Sequence, residues 1–496
     1  MHRRDPDSGT VVDPGVRAEL RDNLHPAQWR NPEPAARYGL VVIGAGPAGL
    51  AAAHEAAAAG VRVALVERDL IGGDCLNYGC EPSKALLRSA RVYAEMRDAR
   101  HYGAVVPERI DVDFHAAMER VLRLRTRLAR PMSPRMLREA GIDVFFGHAK
   151  FEAPDRLHLD ELRLHFDKAL VATGAEPDVP DIPGLDEVDY FTNETIFGIG
   201  ALPERLLVIG GGPLGCEMAQ AFRRFGSRVV IVQDMPLFLP HEERDAAQIL
   251  SVAFARDGIE VRLNTEVTAL RRVGGEIHAD LRSDDYVSSI ATDAILVGTG
   301  RLPRIDDMGL DAAGVEHDPV HGVRVDDCLR TANPAIYAAG DACMEARFTH
   351  VAVATARMAV ANALQGAERK VSDLVIPWCT YTDPEIAHVG LYVREAMRRG
   401  IAVSTSTVPL HAVDRAVLDG DDEGFIKLHV ADGSDRILGA TIVSRRAGEL
   451  IGQLTQAMVN GVGVRGLARV IHPYPTESSA IGAAARAWCQ AHPANP

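Results

Sequence analysis

The sequence lacks any apolar run that approaches the roughly 20 residues of a membrane-spanning helix. It also lacks the apolar segment of a secretory signal peptide after its first residues, Met1 to Pro6. We therefore expect a cytoplasmic protein without a membrane partner.

Positive charge is in deficit, because 54 Lys and Arg stand against 68 Asp and Glu and give a formal net charge of −14. An acidic chain repels nucleic acid and anionic lipid, so neither is an expected partner. Apolar residues make up 47% and charged residues 25%, as in soluble globular proteins. A chain of 496 residues suits roughly three domains of about 150 residues each.

Cysteine is scarce, with only 7 residues, which excludes the disulfide scaffold of small secreted domains. None precedes Cys75, so we expect residues 1–74 to hold no Cys-x-x-Cys metal-binding motif. No Cys or His cluster predicts a metal site elsewhere. One pair, Cys75 and Cys80, stands out by its close spacing.

Residues 1–37 are rich in Pro, Asp, Arg and Asn, and their prolines interrupt any hydrophobic periodicity. This composition predicts a flexible N-terminal arm.

A strand, a glycine turn, a helix and a second strand follow one another twice in the chain. The first set covers residues 40–67 and the second residues 206–232. Each set predicts a βαβ unit, and the repetition implies two nucleotide-binding domains.

The first turn reads Gly44-x-Gly46-x-x-Gly49 and lies directly after a strand and at the start of a helix. Glycines there let the backbone approach a pyrophosphate that faces the helix N-terminus. Glu67 ends the second strand, where its carboxylate can accept hydrogen bonds from the adenosine ribose. Together these features predict a dinucleotide site.

The second turn, Gly210-x-Gly212-x-x-Gly215, repeats the pattern, but Gln233 occupies the position equivalent to Glu67. A carboxylate at this position favours NADH, whereas an arginine accommodates the 2′-phosphate of NADPH. Gln233 favours neither coenzyme, and the following Asp234 slightly favours NADH.

The pair Cys75 and Cys80 follows the first βαβ unit in the segment GGDCLNYGCEPSK, residues 72–84. Two cysteines on the opening turn of a helix beside a flavin can exchange electrons with it. The alternatives are two small buried hydrophobes or half of a metal site.

With these motifs the chain resembles the class I pyridine nucleotide–disulfide oxidoreductases, from about Tyr38 to Trp488. This family includes dihydrolipoamide dehydrogenase, glutathione reductase and mercuric reductase. The resemblance implies FAD and NAD(P)H as cofactors, with hydride passing from the nicotinamide to the flavin and electrons then reducing the disulfide. It implies that Cys80 faces the flavin and Cys75 the substrate, and that the protein is a homodimer with active sites built from both subunits.

Other positions gain roles from the resemblance alone. Lys84 and Glu217 would form an ion pair beside the flavin. Thr173-Gly174 would be the turn that links the FAD and nicotinamide domains, and Gly340-Asp341 would be a second FAD contact. His350 would lie at the start of a helix that points at the flavin.

The expected fold is α/β, with two Rossmann-like domains, for FAD and NAD(P), and a C-terminal α/β dimerisation domain. The predicted boundaries are 1–37 for the flexible arm, 38–185 for the first part of the FAD-binding domain, 186–300 for the NAD(P)-binding domain, 301–370 for the second part of the FAD-binding domain, and 371–496 for the dimerisation domain.

Near the C-terminus the family pattern breaks. Disulfide-reducing members carry His-Pro-Thr-x-x-Glu as an acid–base pair, but here Tyr474 takes the histidine position and Ser479 the glutamate position. Tyrosine, with a pKa near 10, cannot shuttle protons as histidine does near neutral pH. Tyrosine at this place is a mercuric reductase feature, and Tyr474 would reach the partner's Cys75, where the phenol helps a bound metal.

The electron acceptor is accordingly expected to be a small molecule or an ion. A mercuric-reductase-like acceptor is favoured, and Asp74 and Glu81, which flank the cysteines, would suit a cation. The usual C-terminal Cys-Cys relay is missing, and only Cys489 is present. One alternative is a dihydrolipoamide dehydrogenase or low-molecular-weight disulfide reductase that uses His472 and Glu477; another is a flavoprotein subunit that turns over no substrate.

Overall fold

A computed structural model describes residues 14–284 and 286–493, which divide into two compact units. Unit 1 comprises the described residues up to Glu204 together with Arg271–Ile277 and Asp293–Leu374. Unit 2 comprises Arg205–Leu270, His278–Thr292 and the described residues from Val375 onward. Both predicted parts of the FAD-binding domain lie in unit 1, and residues 375–493 of the predicted C-terminal domain lie in unit 2. The finer division into three domains stays a prediction.

The α-helices are α1 (Pro14–Leu24), α2 (Pro47–Ala58), α3 (Gly73–Tyr78), α4 (Cys80–Asp98), α5 (Phe114–Ala129), α6 (Pro134–Glu139), α7 (Pro213–Phe225), α8 (Arg244–Asp257), α9 (Thr349–Gln365), α10 (Val393–Arg398), α11 (Asp414–Asp419), α12 (Ala447–Val459), α13 (Val464–Leu467) and α14 (Ser479–Ala491). Across the described ranges, none of them is long and apolar enough to cross a membrane.

The β-strands are β1 (Tyr38–Ile43), β2 (Val63–Glu67), β3 (Ile142–Phe146), β4 (Ala149–Ala153), β5 (Arg156–Leu159), β6 (Leu162–Val171), β7 (Ala175–Pro177), β8 (Arg205–Ile209), β9 (Arg228–Val232), β10 (Glu260–Arg262), β11 (Glu266–Val273), β12 (Glu276–Ser283), β13 (Tyr286–Thr292), β14 (Ala294–Val297), β15 (Arg301–Pro303), β16 (His317–Asp318), β17 (Gly322–Val323), β18 (Ile336–Ala338), β19 (Pro377–Thr380), β20 (Glu385–Gly390), β21 (Val403–Pro409), β22 (Phe425–Ala431) and β23 (Ile437–Ser444).

The main sheet of unit 1 has the order β3-β2-β1-β6-β5-β4, and β18 also pairs with β6. β1 runs parallel to both β2 and β6, and β18 runs parallel to β6. Residues 40–43 of β1 are all buried, as expected for a central parallel strand covered on both faces. Helices α2 and α9 pack against each other in the same unit. The predicted first βαβ unit is therefore present.

Unit 2 contains the second βαβ unit and an antiparallel sheet. β8, β9 and β10 pair in parallel, and the antiparallel sheet has the order β19-β20-β23-β22-β21. Side chains from α7 reach the residues after β19: Gln220 Nε2 donates to the Asp383 carbonyl at 2.9 Å, and Arg224 pairs with the Asp383 carboxylate at 2.8 Å. These two contacts tie the nucleotide-binding part to the C-terminal part within the unit.

Residues 14–37 differ from the predicted flexible arm, while residues 1–13 lie outside the described ranges. α1 packs on α5 and places Leu20 and Leu24 in the core, at 4% and 1% exposure. The proline in this segment does not prevent a helix. Pro14 opens the helix, where its missing N–H costs nothing, and Val16, Leu20 and Leu24 repeat every fourth residue as one apolar face.

Candidate active site

The first glycine turn forms a tight backbone cradle at the start of α2. Gly44 has φ of +102°, a conformation that favours glycine. A Cβ added at Gly49 would lie 1.7 Å from the Gly44 carbonyl oxygen, whereas one at Gly46 would lie no closer than 3.7 Å to its neighbours. At Gly49 the turn therefore packs so closely on its own backbone that no side chain fits. At Gly46, beside the helix N-terminus that attracts anions, there is room for a ligand.

Glu67 buttresses this cradle from the end of β2. Its carboxylate accepts hydrogen bonds from the Ala45 N–H at 2.7 Å and the Asp69 N–H at 2.8 Å. Burial raises the pKa of Glu67, and these backbone donors oppose that rise. Its position beside Gly46 is the one predicted for a ribose-binding carboxylate.

Other predicted FAD contacts lie in the same unit. The buried hydroxyl of Thr173 has no hydrogen-bond partner within residues 14–284 and 286–493. Gly340 donates its N–H to Thr355 Oγ1 at 3.1 Å, and burial raises the pKa of the following Asp341, against the opposing charge of Arg301. A cradle open at Gly46 and an unsatisfied buried hydroxyl both fit a bound dinucleotide such as FAD.

The two cysteines lie at the junction of two helices and are both thiols in this structure. Cys75 belongs to α3, and Cys80 is the first residue of α4, with its Sγ 3.3 Å from Oγ1 of Thr349, the first residue of α9. A hydrogen bond with Cys80 raises the pKa of Cys75, and burial raises it further. Both effects oppose ionisation of Cys75, whereas Cys80 occupies a helix N-terminus, which favours a thiolate.

The two acidic residues that flank the pair differ in their surroundings. Asp74 binds Arg301 at 2.6 Å and accepts from Asn193 Nδ2 at 3.3 Å. Burial raises the pKa of Asp74, and Arg301 counteracts it. Burial also raises the pKa of Glu81, as does the charge of Cys80, and the Glu81 charge in turn contributes to the raised pKa of Cys75. The Glu81 charge therefore opposes ionisation of Cys75, whereas Asp74 is held in an ion pair with Arg301.

Two further predicted positions have contacts of their own. Glu217, in α7, is 3% exposed and accepts from the Tyr381 N–H at 3.0 Å. Its ion pair with Lys84, which lies one turn after Cys80 in α4, stays a prediction. His350, the second residue of α9, is exposed and stacks on Phe348 with ring centroids 5.5 Å apart.

The second glycine turn repeats the first within unit 2. Gly210 has φ of +105°, and a Cβ at Gly215 would lie 2.1 Å from the Gly210 carbonyl oxygen. Nothing lies within 4 Å of a Cβ added at Gly212, the residue that precedes α7. Gln233 follows β9, is 7% exposed and donates from Nε2 to the Leu237 carbonyl at 3.3 Å.

Near the C-terminus, Tyr474 has a partner that the sequence did not reveal. Its side chain is exposed, and its hydroxyl donates to the Asp414 carboxylate at 2.8 Å. This hydrogen bond raises the pKa of Tyr474. Asp414 opens α11, 60 residues earlier in the chain, and no motif connects the two.

The alternative acid–base residues also lie in unit 2, and among the described residues the buried His472 Nε2 and Glu477 Oε2 atoms have no hydrogen-bond partner. Glu477 is 3% exposed and pairs with Arg446 at 3.2 Å. His472 and Arg486 both lie next to Gly482, and burial, followed by the charge of Arg486, lowers the pKa of His472. Cys489 packs against the apolar core of the unit.

Comparison with known proteins shows the family to which this chain belongs. Residues 38–361 match the pyridine nucleotide-disulphide oxidoreductase family, and residues 376–485 match the dimerisation domain of the same family. The chain belongs to this family. Like other pyridine nucleotide-disulphide oxidoreductases, it is an FAD-containing, NAD(P)H-dependent enzyme with an α/β fold.

The relatives are named for different substrates. The chain is 36% identical to a mercuric reductase of Streptomyces lividans over 91% of this chain and 96% of that enzyme. It is 34% identical to a dihydrolipoyl dehydrogenase of Thermus scotoductus over 91% of this chain and 97% of that enzyme. A Cu(II) complex of the HOCl-induced flavoprotein disulfide reductase RclA from Escherichia coli superposes with a TM-score of 0.80 at 28% identity, over 90% of this chain and 98% of that one. The family is therefore established, and the acceptor is a separate question.

Proposed function

We propose that this oxidoreductase passes electrons from NAD(P)H to the Cys75–Cys80 pair and from there to a soft metal cation, Hg(II) being the best candidate. The observation that carries the proposal is Tyr474, whose hydroxyl is oriented by Asp414 at 2.8 Å in the place where disulfide reductases use a histidine. The relatives named mercuric reductase support the same acceptor.

The cysteine pair supplies the two-electron step. The first glycine turn, with Gly44, Gly46 and Gly49, would hold FAD, which would supply the hydride chemistry between NAD(P)H and the cysteine pair. Cys75 and Cys80 then hold the electrons as a dithiol, and two thiolates are preferred ligands of a soft cation. Transfer of two electrons to Hg(II) yields Hg(0), forms the S–S bond of the Cys75–Cys80 disulfide again and releases the two thiol protons to solvent.

The need for proton delivery favours Hg(II) over a disulfide as the electron acceptor. A disulfide substrate needs a group that delivers protons to the departing thiolate near neutral pH, as histidine does. The hydrogen bond to Asp414 raises the pKa of Tyr474, so the phenol keeps its proton at neutral pH. Such a phenol can hold a metal-bound ligand by hydrogen bonding but is a poor proton donor. Hg(II) reduction requires no proton delivery to the acceptor.

The charges near the pair also favour a cation. Glu81 lies next to Cys80, and its charge acts on Cys75, so an approaching cation meets a negative environment. The carboxylate of Asp414 adds negative charge beside Tyr474.

We also propose that the enzyme works as a homodimer in which Tyr474 faces the partner's Cys75. The matched dimerisation domain supports a dimer. In this arrangement the exposed Tyr474 and Asp414 would be one half of each active site and the cysteine pair the other half.

The test is anaerobic reduction of the FAD-loaded enzyme with NADH or NADPH, followed by Hg(II), lipoamide or glutathione disulfide, with flavin absorbance as the readout. We expect rapid reoxidation by Hg(II) alone. Tyr474→Phe should slow reoxidation by Hg(II) roughly tenfold, the loss of one well-placed hydrogen bond, and leave flavin reduction by the coenzyme unchanged.

His472→Ala is the matched control for the alternative function and should leave Hg(II) reduction unchanged. Reoxidation by a disulfide only, abolished in His472→Ala, would establish the disulfide reductase instead. A flavin that neither coenzyme bleaches would favour the non-catalytic flavoprotein subunit.

A further inference from the structure

We propose that Gln233 makes this enzyme selective for NADH over NADPH, because its side-chain oxygen is placed to accept a hydrogen bond from a ribose 2′-hydroxyl. This inference rests on the proposed function in one respect, namely that the second glycine turn binds the nicotinamide coenzyme.

The orientation of the Gln233 amide is set by the segment that follows β9. Its Nε2 donates to the Leu237 carbonyl at 3.3 Å. Turning the amide over would place Oε1 against that carbonyl, and two acceptors cannot bond to each other. Oε1 therefore points away from Leu237.

That oxygen lies directly beside the glycine turn. A Cβ added at Gly211, the second residue of the turn, would be 2.1 Å from Gln233 Oε1. The side chain is 7% exposed, yet no group among the described residues hydrogen-bonds this oxygen. A buried acceptor without a donor is unfavourable, and a hydroxyl group of a bound ribose would satisfy it.

A 2′-phosphate would find the opposite of what it needs at this place. Near neutral pH it carries roughly two negative charges and offers oxygen acceptors, so it would face Oε1 acceptor to acceptor. Asp234 follows as an exposed carboxylate, and the next cation in the sequence is Arg244. The Arg244 guanidinium already donates to three backbone carbonyls, those of Phe238, Leu239 and Glu242.

Arg262 is the remaining cation to consider, since it ends β10 and its carbonyl accepts from the Gln233 N–H. Its side chain binds Glu260 at 2.7 Å and Ser288 at 3.4 Å. A guanidinium that is already paired with a carboxylate is a weaker phosphate ligand, so Arg262 does not reverse the preference.

The test is calorimetric titration of the oxidised, FAD-loaded enzyme with NAD⁺ and with NADP⁺, which measures binding without turnover. We expect NAD⁺ to bind roughly tenfold more tightly, the worth of one hydrogen bond to an otherwise unsatisfied buried acceptor. Gln233→Leu should remove most of that difference by weakening NAD⁺, and Gln233→Arg should reverse it. Flavin content and the thermal unfolding midpoint of each variant check that the fold is intact.

Asp234→Asn is the matched control, because it removes the neighbouring charge and keeps Gln233. If Asp234→Asn abolishes the selectivity and Gln233→Leu does not, Asp234 is the determinant and the inference is wrong. Equal or tighter binding of NADP⁺ to the unaltered enzyme would also overturn it. Binding of neither dinucleotide would contradict the nicotinamide site itself, and thus the proposed function.

Discussion

The two glycine turns have nearly the same backbone but different chemistry at the end of the following strand. Gly44 and Gly210 have φ of +102° and +105°, and Gly46 and Gly212 have φ, ψ of −75°, −173° and −74°, −179°. In the first turn the strand-end residue is a glutamate that accepts two backbone N–H groups. In the second it is Gln233, whose oxygen lacks a donor among the described residues.

If the first turn holds FAD and the second the nicotinamide coenzyme, as proposed above, this difference matches one cofactor that stays bound and one that exchanges. The first turn has its strand-end acceptor satisfied by the protein, so the cradle is preorganised before any nucleotide binds. The second leaves an acceptor for the nucleotide to satisfy, so part of its order comes from the ligand. We therefore propose that each turn binds a dinucleotide and that the residue at the strand end influences which dinucleotide binds and how long it stays.

The largest effects should come from closing each cradle in turn. Gly49→Ala and Gly215→Ala put a Cβ 1.7 Å and 2.1 Å from a carbonyl oxygen, so each turn must open. We expect Gly49→Ala to yield protein without bound FAD. Gly215→Ala should keep the FAD absorbance but lose flavin reduction by the coenzyme.

Gly452→Ala, in α12, controls for adding a methyl group, because nothing lies within 4 Å of its Cβ. If Gly49→Ala kept its full FAD content, a Cβ at position 49 would not disturb FAD binding, and closing the first turn would lack the effect expected from closing a nucleotide-binding turn.

Acid should lower the folding stability of unit 2, which holds the second glycine turn, through Glu243 next to α8. Although burial opposes it, the close approach of His429 at 3.2 Å and of Lys427 at 3.0 Å lowers the pKa of Glu243 to about 2. Because the folded pKa is below the ordinary 4.5, this stability is present above pH 4.5 and is lost as the pH falls towards about 2. Urea unfolding of Glu243→Gln should show on the order of 3 kcal/mol less pH dependence across that window, as an upper bound.

Asp245→Asn is the matched control in the same cluster, since Asp245 binds Lys427 but is 51% exposed. An equal effect of both substitutions would mean that burial of the Glu243 pair is irrelevant.

Glu67→Gln tests whether the preorganisation of the first turn depends on two oxygens. A glutamine keeps one acceptor and sets an NH₂ group against a backbone N–H, so one buried donor loses its partner. We expect about 1–3 kcal/mol of lost stability, measured by denaturant unfolding of the FAD-free protein, and weaker FAD retention. Unchanged unfolding would mean that the Ala45 and Asp69 hydrogen bonds contribute nothing before FAD binds.

The smallest effect should come from Thr173→Val. Since its buried hydroxyl has no partner in the part of the chain that the structure describes, valine should leave the FAD-free protein equally stable or slightly more stable. FAD affinity should fall by a few-fold if the hydroxyl bonds the cofactor. Equilibrium dialysis of FAD measures this, and an unchanged affinity would remove Thr173 from the site.

Sequence reasoning succeeded where the signal is local. Both βαβ units follow from apolar runs and glycine spacing, and their strands and helices are present as β1, α2 and β2 and as β8, α7 and β9. It failed at α1, where the fourfold spacing of Val16, Leu20 and Leu24 was a usable signal that the prolines obscured.

Contacts between distant parts of the chain could not be predicted in this way. The pairs Asp74–Arg301 and Tyr474–Asp414 join residues with no shared motif, and only the tertiary fold brings them together. The partner of a predicted site residue is therefore the information that the structure adds.

The discontinuity of unit 1 has a consequence for the order of events on the ribosome. β18 and α9 complete the first unit but begin only at Ile336 and Thr349, whereas β8, α7, β9 and β10 of the second nucleotide region span 205–262 without interruption. At about 5–20 residues per second, the growing chain carries the first glycine turn for many seconds before the late strand and helix arrive. We therefore expect the flavin to be captured late in translation, after the coenzyme-binding turn has already formed.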